Sequence, residues 1–591
     1  MGKRIDNILI VEDKIFLIEF KVGDTVHQKY ALEQVMDYTL DLKNFHEGSH
    51  NETLIPMLVA TNAPVHKIGP RVTDHLFEPT KTSRNFLSQD IDSLLRINPG
   101  RKIDVHRWEN SAYRPTPTII EAAQALYRDH SVQEISRSDA GAENLSVTSG
   151  RISEIIDETK AANRKSIIFL TGVPGAGKTL AGLNIANLRK NIDEEDHAVF
   201  LSGNGPLVEV LREALSRDEV RNAKEKGESL SKKDSARKVV KFIQNIHHFR
   251  DEYLTKADER PEIPFEKIAI FDEAQRAWQR EQVSGFMKRK KGIENFVMSE
   301  PEFLIDVMNR HEDWCAIVCL IGGGQEINTG EAGISEWISA LKNEYPEWQV
   351  YISEKILEDD DYLTDDSLKD WLLNTAGIEK NLHLATSLRS FRSEKVSALV
   401  HNILEINIEK AKELLAEIQV NYPIVITRNL ETAKNWLRKS ALGSERIGMV
   451  ASSGGRRLRA LGIDVKNQID APNWFLNSKE DVRSSFFLED VATEFDIQGL
   501  EIDYTCLAWD INMCYDNGAW VYRNFSGTTW KNVNSEQARN YLKNAYRVLM
   551  TRARQGMVIY FPHGDPADST RPEKLYDKNF EYFKSIGFRE I

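Results

Sequence analysis

Three short patterns in this chain bring together residue types that can act on phosphate esters. The first is GVPGAGKT, Gly172 to Thr179, a G-x-x-x-x-G-K-[ST] loop fed by the apolar strand Ser166 to Leu170 and followed by the helical stretch Leu180 to Leu188. Such a loop wraps phosphates in backbone N–H groups: Gly172, Pro174, Gly175, Ala176 and Gly177 shape the cradle, Lys178 reaches the β/γ oxygens and the Thr179 hydroxyl holds Mg²⁺. The second is FDEAQ, which ends the strand Lys267 to Phe271. Asp272 would hold Mg²⁺ through its water shell and Glu273 would polarise the attacking water, because in-line phosphoryl transfer needs positioning and charge neutralisation. The third is D-x₁₂-E-x-K at the start of the chain: Asp6, then Glu19 and Lys21. If the two strands form a hairpin, Glu19 and Lys21 share a face at period two, Asp6 and Glu19 can bind one Mg²⁺, and Lys21 can orient water or stabilise a pentavalent phosphorane. That is the chemistry of metal-dependent phosphodiester cleavage, although charged β-hairpins often carry such short matches.

Residues further along complete a nucleotide site. Gln325, in LIGGGQEI, follows an apolar strand and can sense a γ-phosphate with its amide. Arg392, in SLRSFRS, and Arg552, in YRVLMTRAR, stand where a second lobe can insert them as fingers, so that their charge stabilises the transition state and ties hydrolysis to lobe closure. The elements that must position these groups are visible as apolar strands alternating with helical patterns: IIFLTG, AVFLSGN, KIAIFDEA, AIVCLIGG, PIVITR, RIGMVASS, YTCLAWD and MVIYF. Alternation of that kind predicts parallel sheets wound by helices, and the number of strands predicts two sheets. Before them, ILIVEDKIFLIEFKV and LIPMLVATN, followed by helical segments such as Thr118 to Arg128, predict a small separate α/β domain.

Composition sets the class. The 591 residues exceed one core and suggest about three to five units. A hydrophobic fraction of 41% and a charged fraction of 28% fit a globular protein. No apolar run approaches a membrane span, and Lys3, Arg4 and Asp6 interrupt any signal peptide, so the expectation is a protein that stays inside the cell, in the cytoplasm. The four cysteines include Cys315 and Cys319 in one apolar strand, which predicts buried thiols rather than a disulfide framework or a zinc site. A net charge of −13 excludes a uniformly basic surface, yet a translocase needs only a local positive channel. Lys288 to Lys291 (KRKK) and the trio Arg456, Arg457 and Arg459 are patches that either serve such a channel or form solvated loops. Asp218 to Lys241 is expected as a charge-mixed helix. Trp474 and Phe475 are expected as core or loop aromatics, with base stacking as the alternative.

The motif order GVPGAGKT, SGNGPLV, FDEAQ, GGGQE, SLRSFRS, EFDIQGLE and YRVLMTRAR, spanning about residues 165 to 560, resembles superfamily 1 helicases, and most closely the bacterial branch similar to the helicase part of Schlafen proteins. The resemblance implies two RecA-like lobes in which Gly177, Lys178, Thr179, Asp272, Glu273, Gln325, Arg392, Glu501 and Arg552 carry ATP binding and hydrolysis. It also implies that Ser202 to Val208 and Ser452 to Gly455 touch a nucleic-acid backbone. Two positions depart from the pattern: Gly322 replaces the aspartate of G-D-x-x-Q, and no adenine-reading glutamine precedes the loop. Translocation is therefore better supported than strand separation. At the N-terminus, Gln34 and Tyr38 in QVMDY resemble the Q-x-x-x-Y element of RecB-type PD-(D/E)XK nucleases, an element that supports the metal site and contacts nucleic acid. In that fold a helix precedes the first strand, whereas here the RID strand starts close to Met1, so cleaving and non-cleaving docking domains both stand as readings.

The expected layout is an α/β chain with a PD-(D/E)XK nuclease-like domain over 1–130, a linker and connecting helix over 131–163, one RecA-like lobe over 164–380 and a second over 381–591. The expected activity is ATP-dependent translocation on nucleic acid, DNA before RNA, coupled to a Mg²⁺-dependent nuclease, with ATP and Mg²⁺ as cofactors. A homo-oligomer or a partner protein of a defence system is an open expectation, since nuclease and motor fusions of this kind resemble bacterial antiphage or repair systems. The competing class is an ATP-gated switch or scaffold, or an RNA-directed enzyme.

Overall fold

The computed structural model describes residues 5–64, 72–73, 75–97, 99–111, 118–128, 130, 139–173, 175–190, 196–254, 261–293, 296–322, 333–359, 362–385, 391–419 and 422–591. The chain divides into two compact units. One comprises Met1–Pro117, Ser136–Ser138 and Leu437–Arg446; the other comprises Thr118–Ile135, Asp139–Trp436 and Ile447–Ile591.

In the first unit, β1 (Asn7–Val11) and β2 (Lys14–Lys21) form an antiparallel hairpin in which Asn7 faces Ile18 and Val11 faces Lys14. After the helix Lys29–Phe45, β3 (Thr53–Ala60) returns parallel to β2, as a crossover connection requires. The short strands β4 (Val72–Thr73), β5 (Leu76–Phe77) and β6 (Thr80–Thr82) complete a sheet of order β1-β2-β3-β5-β4, with β6 also on β3. Alternation along β2 sends Ile15 and Leu17 to one core, with Val35 and Tyr38 of the helix, and Phe16 and Ile18 to another, with Ile55 and Met57. Apolar burial on both faces explains why β2 is a continuous hydrophobic run.

The second unit holds two parallel sheets. The first contains β7 (Lys165–Gly172), β8 (Ala198–Ser202), β9 (Ile243–Asn245), β10 (Ile268–Asp272), β11 (Cys315–Leu320), β12 (Gln349–Ile352), β13 (Gly377–Ile378) and β14 (His383–Leu384). Their order is β13-β12-β7-β11-β10-β8-β9, with β14 beside the end of β7. The second sheet contains β15 (Ile424–Thr427), β16 (Ile447–Ala451), β17 (Val491–Ala492), β18 (Ile502–Ala508), β22 (Ala553–Tyr560) and β23 (Arg589–Glu590), in the order β17-β16-β18-β22-β15-β23. Between β18 and β22 the chain adds an antiparallel ribbon of β19 (Met513–Asp516), β20 (Ala519–Ser526) and β21 (Thr529–Asn532). The molecule is thus mixed α/β with two parallel-sheet lobes, and the crossings among β7, β8, β10 and β11 place the ends of β7 and β10 on one edge of the first lobe, where a doubly wound sheet binds ligands.

One local expectation changes. The stretch Asp218 to Lys241 is two helices, Gly205–Glu225 and Lys232–Phe242, because Gly227 at φ +77 ends the first as a left-handed turn residue. Trp474 and Phe475 are buried on the helix Ala471–Leu476, so they belong to the core and offer no stacking platform. All four cysteines are buried free thiols. Among the described residues no helix is long and apolar enough to cross a membrane.

Candidate functional site

The N-terminal hairpin assembles its polar residues locally. Lys21 Nζ donates to Glu19 Oε1 at 2.8 Å and to Gln34 Oε1 at 3.2 Å. Gln34 Nε2 donates to the same Glu19 oxygen at 3.0 Å and to the Tyr38 hydroxyl at 2.9 Å. Gln34 and Tyr38 can both take part because residues four apart share a helix face. Asp6 Oδ2 accepts from Phe20 N at 3.0 Å, which pins the first carboxylate beside the second strand. Burial works against the charge on Lys21, yet the hydrogen bond and charge of Glu19 outweigh it and raise its pKa, so the side chain is an ammonium at neutral pH. Glu19 is only 4% exposed, and its Oε2 is buried with no hydrogen-bond partner among the described residues. Such an oxygen costs on the order of 1–3 kcal/mol to bury. A hard cation at this edge would satisfy it, so the residues fit Mg²⁺.

The phosphate loop lies at the end of β7. Gly177 adopts φ +88, a left-handed conformation that opens the helix Lys178–Leu188 and that L-residues adopt only at a cost. Gly172 is required for a different reason: a Cβ there would lie 2.8 Å from Leu384 Cβ and 2.9 Å from its carbonyl oxygen, because β14 packs against the loop and Val173 N donates to Leu384 O. Lys178 Nζ donates to Gly172 O at 2.7 Å, which holds the ammonium over the loop. Pro174, Gln325 and the side chain of Arg392 lie outside the described residues; the backbone of Arg392 is in the helix Phe391–Leu404.

The two nucleotide motifs meet across the sheet. Thr179 Oγ1 donates to Asp272 Oδ1 at 3.1 Å, although the residues are 93 positions apart. Burial, then the neighbouring Glu273 carboxylate, push the Asp272 pKa up to about 7. A buried carboxylate beside a half-buried one and a hydroxyl is relieved by a hard divalent cation, so these residues also fit Mg²⁺. Among the described residues no group of three or more His, Cys, Asp or Glu side chains is placed to hold a metal ion. A Mg²⁺ ion at either site would therefore keep water and substrate oxygens in its shell, as this ion ordinarily does.

Beside the site, contacts that the sequence did not signal run between the two lobes. Glu273 has φ +53 and ψ +45, and the following turn directs Arg276 to Gln498 of the second lobe, Nη1 to Oε1 at 2.6 Å. Asn204 Nδ2 donates to the Gln498 carbonyl at 2.6 Å while its Oδ1 caps Leu207 N. Gln275 joins the Glu273 carboxylate to Gly322 N, the glycine that stands in the aspartate position of the motif. Glu501 immediately precedes β18 and Arg552 immediately precedes β22, and Ile502 N donates to Arg552 O at 3.2 Å, so the two residues lie before the starts of adjacent strands. Gln498 lies inside the quoted EFDIQGLE run, but no spacing rule signals that its partner is 222 residues away.

The second segment expected on nucleic acid has occupied amides. Ser453 N donates to Glu494 Oε2 at 2.9 Å, Gly454 N to Ser452 Oγ and Gly455 N to Ser452 O. Contacts from this loop would have to come from side chains. Arg457 is tied to Asp568 and Arg459 to Asp464, whereas Lys288, Arg289 and Lys290 are exposed on a π-helical turn.

Residues 165–563 match the family model of the Schlafen group 3 DNA/RNA helicase domain. No curated protein matches the chain. Among solved structures, the chain is similar to the DUF1998 helicase MrfA bound to DNA, at 10% identity and a TM-score of 0.27, over 80% of this chain and 55% of that one. The chain thus spans little more than half of MrfA. A variant of S. cerevisiae Dbp5 bound to RNA and ADP BeF3 aligns at 10% identity and a TM-score of 0.26, over 77% of this chain and 93% of that one.

Proposed function

Because the chain belongs to the Schlafen group 3 DNA/RNA helicase family, we propose that it is an ATP-driven nucleic-acid translocase whose N-terminal unit is a Mg²⁺-dependent phosphodiesterase. The observation that carries the motor reading is the hydrogen bond from Thr179 to Asp272, which unites the phosphate loop with the strand-end carboxylates. In this reading Gly172, Gly175, Ala176 and Gly177 shape the triphosphate cradle and Lys178 neutralises the β/γ oxygens. Thr179 and Asp272 would hold Mg²⁺, which supplies Lewis-acid neutralisation of the phosphate charge. Glu273 orients the attacking water. Arg552 and Glu501 approach from the second lobe, with Gln325 and Arg392 as further γ-phosphate contacts, so the hydrolysed state and the position of that lobe are linked.

For the N-terminal unit the support is the Lys21–Glu19–Gln34–Tyr38 chain and the unpartnered Glu19 oxygen. Asp6 and Glu19 would hold the ion. Lys21, kept protonated, suits charge stabilisation of a phosphorane better than proton abstraction. Gln34 and Tyr38 fix the orientation of both. DNA is the favoured substrate and RNA the alternative, in defence against foreign nucleic acid or in repair. The engagement of Glu19 Oε1 by both Lys21 and Gln34 favours a second reading, in which this unit docks nucleic acid without cutting it.

The test is a panel of linear, circular and single-stranded DNA and of RNA, incubated with Mg²⁺ and with or without ATP, scoring ATP turnover and strand scission together. Scission that needs Mg²⁺, with ATP turnover stimulated by the same polymer, supports the combined reading and names the substrate. Stimulated turnover with every substrate intact would leave a translocase with a docking domain. Turnover indifferent to all polymers would replace the motor with a nucleotide-gated switch.

A further inference from the structure

The strand-end carboxylate of the first lobe is joined to the second lobe by one arginine. Glu273 follows β10 in a left-handed backbone conformation, which is costly for a residue with a Cβ and persists only where the surroundings enforce it. The single turn Ala274–Arg276 then folds the Arg276 side chain back, with Nε 3.8 Å from Glu273 Oε2 and Nη1 2.6 Å from Gln498 Oε1. Gln498 is 6% exposed and is gripped a second time through its carbonyl by Asn204, which caps the helix after β8. Both ends of this residue are therefore attached to the first lobe.

Gln498 ends a short rigid segment. Thr493 N donates to Asp496 Oδ2 at 2.7 Å, and the helical turn Glu494–Ile497 is closed by this capping box. At the far end, the buried Glu494 accepts from Ser453 N at 2.9 Å and from Ser453 Oγ at 2.6 Å, and so fixes the loop after β16. At the near end, Gly499 at φ +75 turns the chain into Glu501 and β18. One segment of the second lobe thus holds the Ser453 loop by one carboxylate and meets the hydrolytic carboxylate of the first lobe through Arg276.

We propose that Arg276 is a positioning residue that couples Glu273 to the second lobe through Gln498, so that polymer engaged at the Ser452–Gly455 end accelerates ATP turnover. This rests on the motor reading above. A guanidinium suits the task, because its fork can face a carboxylate and an amide oxygen at once, and a packed segment with two anchored ends shifts as a unit. Coupling of this kind between two sites typically amounts to about 5–150-fold.

The experiment measures kcat and KM for ATP, with and without single-stranded DNA and RNA, in wild type, Gln498→Ala, Gln498→Glu, Arg276→Ala and the double alanine variant. Gln498→Ala is expected to keep polymer-free turnover, to leave KM for ATP in place, and to reduce the polymer-stimulated kcat at least about fivefold. Gln498→Glu, which keeps an acceptor opposite Arg276, is expected to retain stimulation, and that rescue separates coupling from a packing defect. Arg276→Ala and the double variant are expected to lose stimulation to the same extent, because the two residues act as one link. Full stimulation in Gln498→Ala, or losses that multiply in the double variant, would overturn the assignment while the motor reading stands. Wild-type turnover that ignores both polymers would overturn the motor reading and the coupling role with it.

Discussion

The hairpin in the first unit and the phosphate loop in the second both bring carboxylates and an ammonium together, but they do so at different ranges. Asp6, Glu19, Lys21, Gln34 and Tyr38 lie within 33 residues and are held by one hairpin and one helix. Thr179 and Asp272 are 93 residues apart and meet only because β7 and β10 end on the same sheet edge. Their lysines also differ in use. Lys21 is bound to a carboxylate and to an amide oxygen. Lys178 donates to the carbonyls of Gly172 and Val173, neutral groups that a phosphate can outcompete, and its charge also acts on Asp272. The contrast teaches that an ammonium held by carbonyls is arranged for an incoming anion, while one held by a carboxylate is part of a standing charge pattern.

Four substitutions break or sharpen this contrast. Lys178→Ala should have the largest effect, a fall of about 10²–10³ in polymer-stimulated ATP turnover, as for loss of a preorganised charge at a phosphoryl centre. ATP-independent strand scission should persist in that variant, and a scission assay that fell in parallel would mean the two sites work as one. Lys21→Ala is the mirror experiment: scission should drop by about 10² or more while ATP turnover holds. It also leaves the buried Glu19 carboxylate without its cation, so melting should be recorded beside activity. Gly177→Ala should weaken nucleotide binding by about 1–2 kcal/mol through the strain of φ +88, measurable by titration calorimetry. Wild-type affinity in that variant would mean that the loop reaches the bound form by another backbone path. Tyr38→Phe should be mildest, removing one hydrogen-bond acceptor of Gln34 for about 0.5–1.5 kcal/mol, seen as a modest fall in melting temperature and up to about a tenfold slower scission.

Legibility followed sequence distance. The loop Gly172–Thr179 can be read because its glycines encode the backbone turn and its flanks encode the strand and helix. Glu19, Lys21, Gln34 and Tyr38 can be read because periods of two and four place each pair on one face. The break at Gly227 was missed because charge mixing alone continues smoothly across it, while a single left-handed glycine ends the helix. Trp474 was ambiguous because an aromatic serves core and stacking equally well; its complete burial decides for the core. The resemblance implies that Ser452 to Gly455 touch a nucleic-acid backbone, but it carries no record of the amide partners, which are Glu494 for Ser453 and Ser452 for Gly455.

The sequence by itself determined the two local groupings of polar residues and the alternation of strands and helices, because hydrogen bonding in a loop, a hairpin or a helix turn depends on neighbours a few residues away. The tertiary structure decided which distant groups share a site: Thr179 with Asp272, Arg276 with Gln498, and Glu494 with Ser453. Those meetings depend on strand order and lobe packing. They depend on where whole sheets bury their apolar faces, and a pairwise spacing in the chain carries no record of that.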